Sequence, residues 1–221
     1  MDVAIIGGTG AEGFGLTLRL AKAGHHVTIG SRDAARADAK AGEARGILGA
    51  DAQVSGAENP AAAAAAPVVI VTVPFEGAAA IYGSIAGSVT PETVVCDCTS
   101  PLMASVGGRA SHALHPWHGS AAEFVRTLLP HGTRLVAGFH TVSAKALAKA
   151  DEPLDEDVIL CGDDEEAKAV VAALAERLVE GRAVDAGRLE VARWLEPLTA
   201  VLLNVNRRYK VSSGVKVTGL P

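Results

Sequence analysis

Short apolar runs recur along the chain at residues 3–6, 27–29, 68–73, 94–96, 135–137 and 158–160, separated by Ala-rich stretches with helical spacing. Runs of this length read as strands buried on both faces, and their alternation with helices predicts a parallel sheet. The first helix starts near Gly10 and carries Phe14, Leu18 and Ala21 on one face, with Gly24 placed to end it in a left-handed cap. A second helix is expected over 34–48. The six alanines at 61–66 read as a helix end stopped by Pro67.

Between the first run and the first helix stands Gly8-Thr9-Gly10-Ala11-Glu12-Gly13. Glycines at this spacing allow a tight turn and close approach of a ligand to the backbone, while the helix N-terminus offers free N–H groups to a pyrophosphate. Strand, motif, helix and second strand follow in order within about 30 residues, the context that gives the motif its meaning. NAD enzymes usually end the second strand with a carboxylate for the ribose. Here the chain reads Thr28-Ile29-Gly30-Ser31-Arg32, with Arg36 one helical turn on. A hydroxyl and two guanidiniums suit a 2′-phosphate, so NADP(H) is expected in preference to NAD(H). Asp33 reads as a first-turn acid of the second helix.

Together these features predict an α/β fold, Rossmann-like and doubly wound, with a mainly parallel sheet. Residues 1–150 are expected to form the NADP-binding domain, and residues 151–221 a small C-terminal helical lobe that lids the cofactor cleft. Charge changes along that lobe: 151–180 holds eleven acids against two bases, and 181–221 holds seven bases against three acids. One acidic and one basic side are therefore expected. Asp163-Asp164-Glu165-Glu166 reads as a helix-capping group.

The formal net charge of −5 over 221 residues argues against a broad basic face for nucleic acid. The stretch 61–73, the longest run without a charged or strongly polar residue near its middle, is broken by Pro67 and falls short of the roughly 20 apolar residues that span a bilayer. The N-terminus lacks the basic start of a signal peptide, and three cysteines (Cys96, Cys98, Cys161) fit reduced thiols, so a cytoplasmic protein is expected. His112, His115 and His118 form H-x-x-H-x-x-H, but Pro116 breaks any helix aligning them and no metal set is expected. No G-x-S-x-G, H-E-x-x-H or four-cysteine pattern occurs.

Several segments carry a resemblance over nearly the whole chain. Gly7-Gly8-Thr9-Gly10, Gly30-Ser31-Arg32, Val73-Pro74-Phe75-Glu76, Phe139-His140-Thr141-Val142, Cys161-Gly162-Asp163-Asp164, Asp185-Ala186-Gly187 and Leu198-Thr199 resemble the NADPH-dependent coenzyme F420 reductases, or F420H2:NADP oxidoreductases. The resemblance implies hydride transfer between nicotinamide C4 and C5 of the deazaflavin. It implies that Thr9, Ser31, Arg32 and Arg36 hold the 2′-phosphate, and that Thr9, Gly10, Ala11 and Glu12 lie along the pyrophosphate. Val73, Pro74, Ala78 and Ala144 would line the nicotinamide side, and His140, Val142 and Thr199 would fall beside the deazaflavin. Pro197 stands where the family commonly has serine, and Ser143 where it often has proline.

Hydride transfer between stacked rings needs no nucleophile, only alignment of the reacting carbons and exclusion of water. His140 either steadies the deazaflavin or is packed for structure. The basic residues Arg188, Arg193, Arg207, Arg208, Lys210 and Lys216 either attract the anionic tail of F420 or form a solvated face. Val and Leu at 201–205 make a homodimer plausible. Three other readings stay open: a hydroxyacid or imine dehydrogenase completed by a partner chain, an NADPH-dependent reductase of an ordinary flavin or ferric acceptor, and a non-catalytic NADP(H) sensor.

Overall fold

The apolar runs become the strands of one eight-stranded sheet in the computed structural model, which describes residues 1–220. In chain order the elements are β1 (Asp2–Ile6), α1 (Ala11–Lys22), β2 (His26–Ser31), α2 (Ala34–Leu48), β3 (Val54–Glu58), α3 (Asn59–Ala64), β4 (Val68–Val71), α4 (Phe75–Ile85) and β5 (Val94–Asp97). There follow α5 (Ala121–Arg126), β6 (Arg134–Gly138), α6 (Ala144–Leu147), β7 (Val158–Gly162), α7 (Glu165–Ala175), β8 (Ala183–Asp185), α8 (Ala192–Leu195) and α9 (Leu198–Tyr209). The strand order is β3-β2-β1-β4-β5-β6-β7-β8, parallel throughout except between β6 and β7.

Strand geometry divides the core in two, because successive side chains point to opposite faces. Val3, Ile5, Val68, Ile70, Val94 and Cys96 join one apolar cluster with Leu16, Leu20 and Leu147; Ala4, Ile6, Val69, Val71 and Val95 join the other with Tyr82, Ile85 and Leu195. α1 ends as its sequence indicates: Gly24 adopts φ +90°, and the amides of Gly24 and His25 bond back to Ala21 and Leu20.

Two strands escaped the apolar pattern. β3 is Val-Ser-Gly-Ala-Glu, an edge strand with one apolar anchor, and β8 is three residues at the other edge.

The C-terminal helices expected of the lobe are present, and the sheet reaches into the same region. The sheet runs on past residue 150, since β7, α7 and β8 continue it, and the helical part is confined to a 3₁₀ turn at Leu189–Val191 with α8 and α9. The expected acidic and basic sides do not separate. Asp163 pairs with Arg126 and Arg188, Asp164 with Arg134, Lys168 with Glu165 and Asp185, and Lys216 with Asp155. The acids and bases neutralise one another across elements that the linear sequence keeps apart. Asp164 also caps α7, accepting from the Ala167 amide at 2.8 Å.

Buried Arg19 fastens the segment after β6 to α1. Its guanidinium donates to the carbonyls of Ala146, Leu147, Lys149 and Glu152 at 2.7 to 3.1 Å.

Candidate active site

The Gly-rich turn is built by sterics. Gly7 sits at φ +81°, a region other residues avoid, and the Gly8 amide bonds to the carbonyls of Ile5 and Gly30. A Cβ on Gly13 would lie 2.5 Å from Thr72 Oγ1 and 2.8 Å from Gly8 Cα, so α1 packs against the turn only with glycine there. Gly10 is the N-cap of α1 and supplies no side-chain cap, which leaves first-turn amides available to an anion.

Beside this turn a cavity of about 380 Å³ is lined by Thr9, Gly10, Ser31, Arg32, Arg36, Asn59, Val73 and Pro74 among others. Asp33 caps α2, accepting from the Arg36 amide at 3.2 Å, so its carboxylate is spent on the helix. Arg32 and Arg36 are exposed, and among the described residues neither guanidinium has an ion-pair or hydrogen-bond partner. Asn59, at the start of α3, is 3% exposed with its Oδ1 unpartnered. Two free cations and a buried amide oxygen thus face one hollow.

A larger cleft of about 690 Å³ adjoins it, and the two share Gly10, Thr72, Val73, Pro74 and Glu76. Its floor comes from Ala11, Glu12, Cys98 and Ser100, one wall from His140, Val142 and Ala144, and the other from Thr199, Leu202, Leu203 and Asn206 of α9. Those four positions of α9 are spaced i, i+3, i+4, i+7, one face of a helix. Phe139 takes φ +66°, unusual for a bulky side chain, as the chain leaves β6 and delivers His140 to the wall. The Thr199 hydroxyl donates to the His140 carbonyl at 2.8 Å and so accepts from Ser100 Oγ at 2.7 Å. Burial, reinforced by the charge of Asp97, pushes the Glu12 carboxyl up to about 8.

Behind the wall lies a cluster the sequence did not predict. Asp97, His140 and Glu196 are 0%, 5% and 1% exposed, and their ligand-capable atoms lie within 4.8 Å of one another. Tyr82 and Thr99 both donate to Asp97 Oδ1 at 2.7 Å, while Glu196 accepts from the Ala121 and Ala122 amides at 2.8 and 3.0 Å. Burial raises Asp97 to about 6, restrained by those hydrogen bonds, raises Glu196 to about 8 against its two amides, and lowers His140 to about 4.

The structure therefore brings Thr9, Gly10, Ser31, Arg32, Arg36, Val73 and Pro74 to the smaller hollow, and Ala11, Glu12, His140, Val142, Ala144 and Thr199 to the larger. Ala78 lines neither: it points from α4 into the core and is fully buried. The expectation that it faces the nicotinamide is corrected by the rotation of α4, which presents Gly77 and Ala80 instead. His118 packs on Phe124, ring centroids 5.1 Å apart, and His112 lies by Met103 and Arg109; with His115 they make no ligand group among the described residues. Asn59, Ser100 and the lining face of α9 were missed, although the α9 spacing was readable.

Comparison with known proteins matches residues 2–101 to the family model described as NADP oxidoreductase, coenzyme F420-dependent. The chain is 43% identical over 224 residues to an F420-dependent NADP reductase of Methanothermobacter thermautotrophicus, covering 100% of this chain and 96% of that protein. It is 38% identical to the protein of that name from Methanocaldococcus jannaschii, covering 100% and 99%. A solved structure of a candidate F420-dependent NADP reductase from Arthrobacter sp. FB24 superposes with a TM-score of 0.77 at 26% identity, covering 99% of this chain and 100% of that one. No helix among the described residues is long and apolar enough to cross a membrane.

Proposed function

The chain belongs to the coenzyme F420-dependent NADP oxidoreductases, and from that membership we propose how its cleft performs their reaction. The enzyme transfers a hydride between nicotinamide C4 of NADP(H) and C5 of the deazaflavin: NADPH, F420 and one proton give NADP⁺ and F420H2. The observation that carries this reading is the continuity of the two cavities. Arg32 and Arg36 in the smaller hollow would hold the 2′-phosphate of a dinucleotide, and the shared lining at Gly10, Val73 and Pro74 would let its nicotinamide reach the larger cleft and a second ring system there.

The residues' roles follow from their chemistry. Arg32 and Arg36, with Ser31 and Thr9, neutralise the 2′-phosphate, and the first-turn amides of α1 take the pyrophosphate. Val73, Pro74 and Ala144 offer apolar surface to the nicotinamide. His140, Val142 and Thr199 form the deazaflavin side. Stacking the rings at about 3 to 3.5 Å and keeping water out is the protein's main contribution. Residues 1–150 carry the NADP site. The closing role of 151–221 falls to α9, whose C-terminal Arg207, Arg208 and Lys210 lie one turn or less beyond the cleft residue Asn206 and suit an anionic tail.

A homodimer is supported by Trp194, Val201 and Tyr209, apolar and 54 to 66% exposed on α8 and α9. A cytoplasmic location accords with three free cysteines.

The test mixes purified protein with NADPH and oxidised F420, then with FMN or FAD, and follows the visible absorbance of each acceptor. Bleaching of F420 alone is expected. Turnover of only FMN or FAD overturns the choice of acceptor, and tight NADPH binding without turnover of any acceptor overturns catalysis.

A further inference from the structure

We propose that Asp97, His140 and Glu196 form a three-ligand site for a zinc-type divalent cation, set behind the wall of the cleft. The site goes beyond hydride transfer, which needs no metal, and its test does not depend on that reading.

The argument starts from what the three side chains leave unspent. Asp97 Oδ1 is satisfied by Tyr82 and Thr99, but Oδ2 is buried with no partner. Both ring nitrogens of His140 are buried and no side chain pairs with either, one of them facing the Thr99 backbone. Each Glu196 oxygen accepts one amide and keeps a second lone pair. Buried polar atoms are ordinarily paired, and unpartnered atoms on both Asp97 and His140 in one place indicate that something belongs between them. The groups do not satisfy one another: no hydrogen bond joins any two of the three, although their ligand atoms all lie within 4.8 Å.

Charge points the same way. Two carboxylates lie here essentially out of contact with water, and among the described residues no Lys or Arg pairs with either. Burying a charge without a partner is costly, so a metal-free site holds protons instead, and a divalent ion with a neutral imidazole takes their place and balances both carboxylates. One imidazole and two carboxylates in a dry site suit zinc better than magnesium, which keeps several waters and prefers oxygen alone. Tetrahedral zinc with bonds near 2.0 to 2.1 Å spaces its ligands about 3.4 Å apart, so the cluster stands open by at most about 1.4 Å. The outer hydrogen bonds complete the pattern, since ligating carboxylates are themselves held by donors on the far side. Tyr82, Thr99 and the two α5 amides supply those donors.

The experiment uses the full chain, stripped with a chelator, then equilibrated with Zn²⁺ or Co²⁺ and freed of loose metal by gel filtration. One tightly held equivalent per chain is expected, and the Co²⁺ form should show the intense visible bands of four- or five-coordinate cobalt. Glu196→Gln and Asp97→Asn should lose that equivalent. Tyr82→Phe, which keeps the ring but removes a donor to Asp97, should weaken binding about 10- to 100-fold. Folded wild type that retains no metal overturns the proposal and leaves a proton or water as the occupant. Weak six-coordinate cobalt bands overturn it too, as does full retention in Glu196→Gln, which would assign the metal elsewhere. Should a ligand variant fail to fold, the wild-type stoichiometry and cobalt spectrum decide.

Discussion

The Thr199 hydroxyl donates to the backbone carbonyl of His140 at 2.8 Å, tying together two walls of the cleft that lie 59 residues apart. Having given its only proton, Thr199 receives one from Ser100 Oγ at 2.7 Å, so Ser100, Thr199 and His140 form a directed chain. Replacing Thr199 by Val keeps the shape but breaks both bonds. A lost hydrogen bond of about 0.5 to 1.5 kcal/mol corresponds to roughly 2- to 13-fold, and a displacement near 1 Å raises the loss toward about 100-fold. Single-turnover hydride transfer should slow within that range in Thr199→Val while NADPH affinity holds. Thr199→Ser should restore most of the rate. A Thr199→Val enzyme as fast as wild type removes the tie from the alignment of the rings.

The parts of this site that were readable in the sequence are those that chemistry places within one local unit. Gly8 to Gly13 and Ser31 to Arg36 each sit where a strand meets a helix, so spacing alone assigns their roles. Ala78 misled because the resemblance supplied a residue but not the rotation of α4, which turns Ala78 into the core. β3 was invisible because its central Gly56 is there for close packing: a Cβ would fall 2.4 Å from the Ala37 carbonyl carbon of α2, so the strand trades an apolar residue for contact. Asp97, His140 and Glu196 come from β5, the turn after β6 and the residue after α8. Only the tertiary fold joins them, and no spacing in the chain announces it.

Glu156 should make stability depend on pH. Burial pushes its carboxyl from 4.5 to about 7, partly opposed by the charge of Arg19, and its Oε2 has no partner where the C-terminal segment crosses at Gly214. A carboxyl with a raised folded pKa holds its proton more tightly when folded. Its contribution is complete below about 4.5 and is lost as pH rises to about 7. At 1.36 kcal/mol per unit the loss is no more than about 3 kcal/mol, and less as solvent screens the charge. Glu156→Gln should flatten this part of the profile and be the more stable protein at pH 8. Urea unfolding of both proteins at pH 5 and pH 8 is the measurement; equal slopes with pH would remove Glu156 as the cause.

Discrimination between dinucleotides should reside in Arg32 and Arg36. Each hydrogen bond to a charged group contributes about 1.5 to 3 kcal/mol, so the pair supplies about 3 to 6 kcal/mol before coupling is subtracted. That corresponds to a preference for NADPH over NADH on the order of 10² to 10⁴. The double variant Arg32→Ala with Arg36→Ala should erase most of it by raising the KM for NADPH, with little change for NADH. Arg32→Asp should go further, repelling the phosphate while offering a carboxylate to the ribose. Steady-state kinetics with both dinucleotides test this, and an Arg32→Asp enzyme that keeps its preference would refute the assignment.

The glycines of the turn should separate into one that fits the fold and one that fits the ligand. At Gly13 an added methyl would meet Thr72 Oγ1 at 2.5 Å, Gly8 Cα at 2.8 Å and the Gly7 carbonyl oxygen at 2.9 Å. Two of those neighbours are backbone and cannot rotate away. Overpacking of this kind costs about 1 to 3 kcal/mol, more than the gain of up to about 1 kcal/mol from replacing a helical glycine by alanine. Gly10 differs: its backbone lies in the ordinary extended region, and a methyl there meets only the Gly7 carbonyl oxygen, at 3.3 Å. Gly10→Ala should therefore melt near the wild-type temperature, whereas Gly13→Ala should melt lower. If the pyrophosphate lies against Gly10, its methyl occupies space the ligand needs, and NADPH affinity should drop sharply in a protein that is otherwise intact. Thermal melts with and without NADPH read both effects at once. Full ligand-induced stabilisation in Gly10→Ala would mean that the dinucleotide approaches the turn somewhere else.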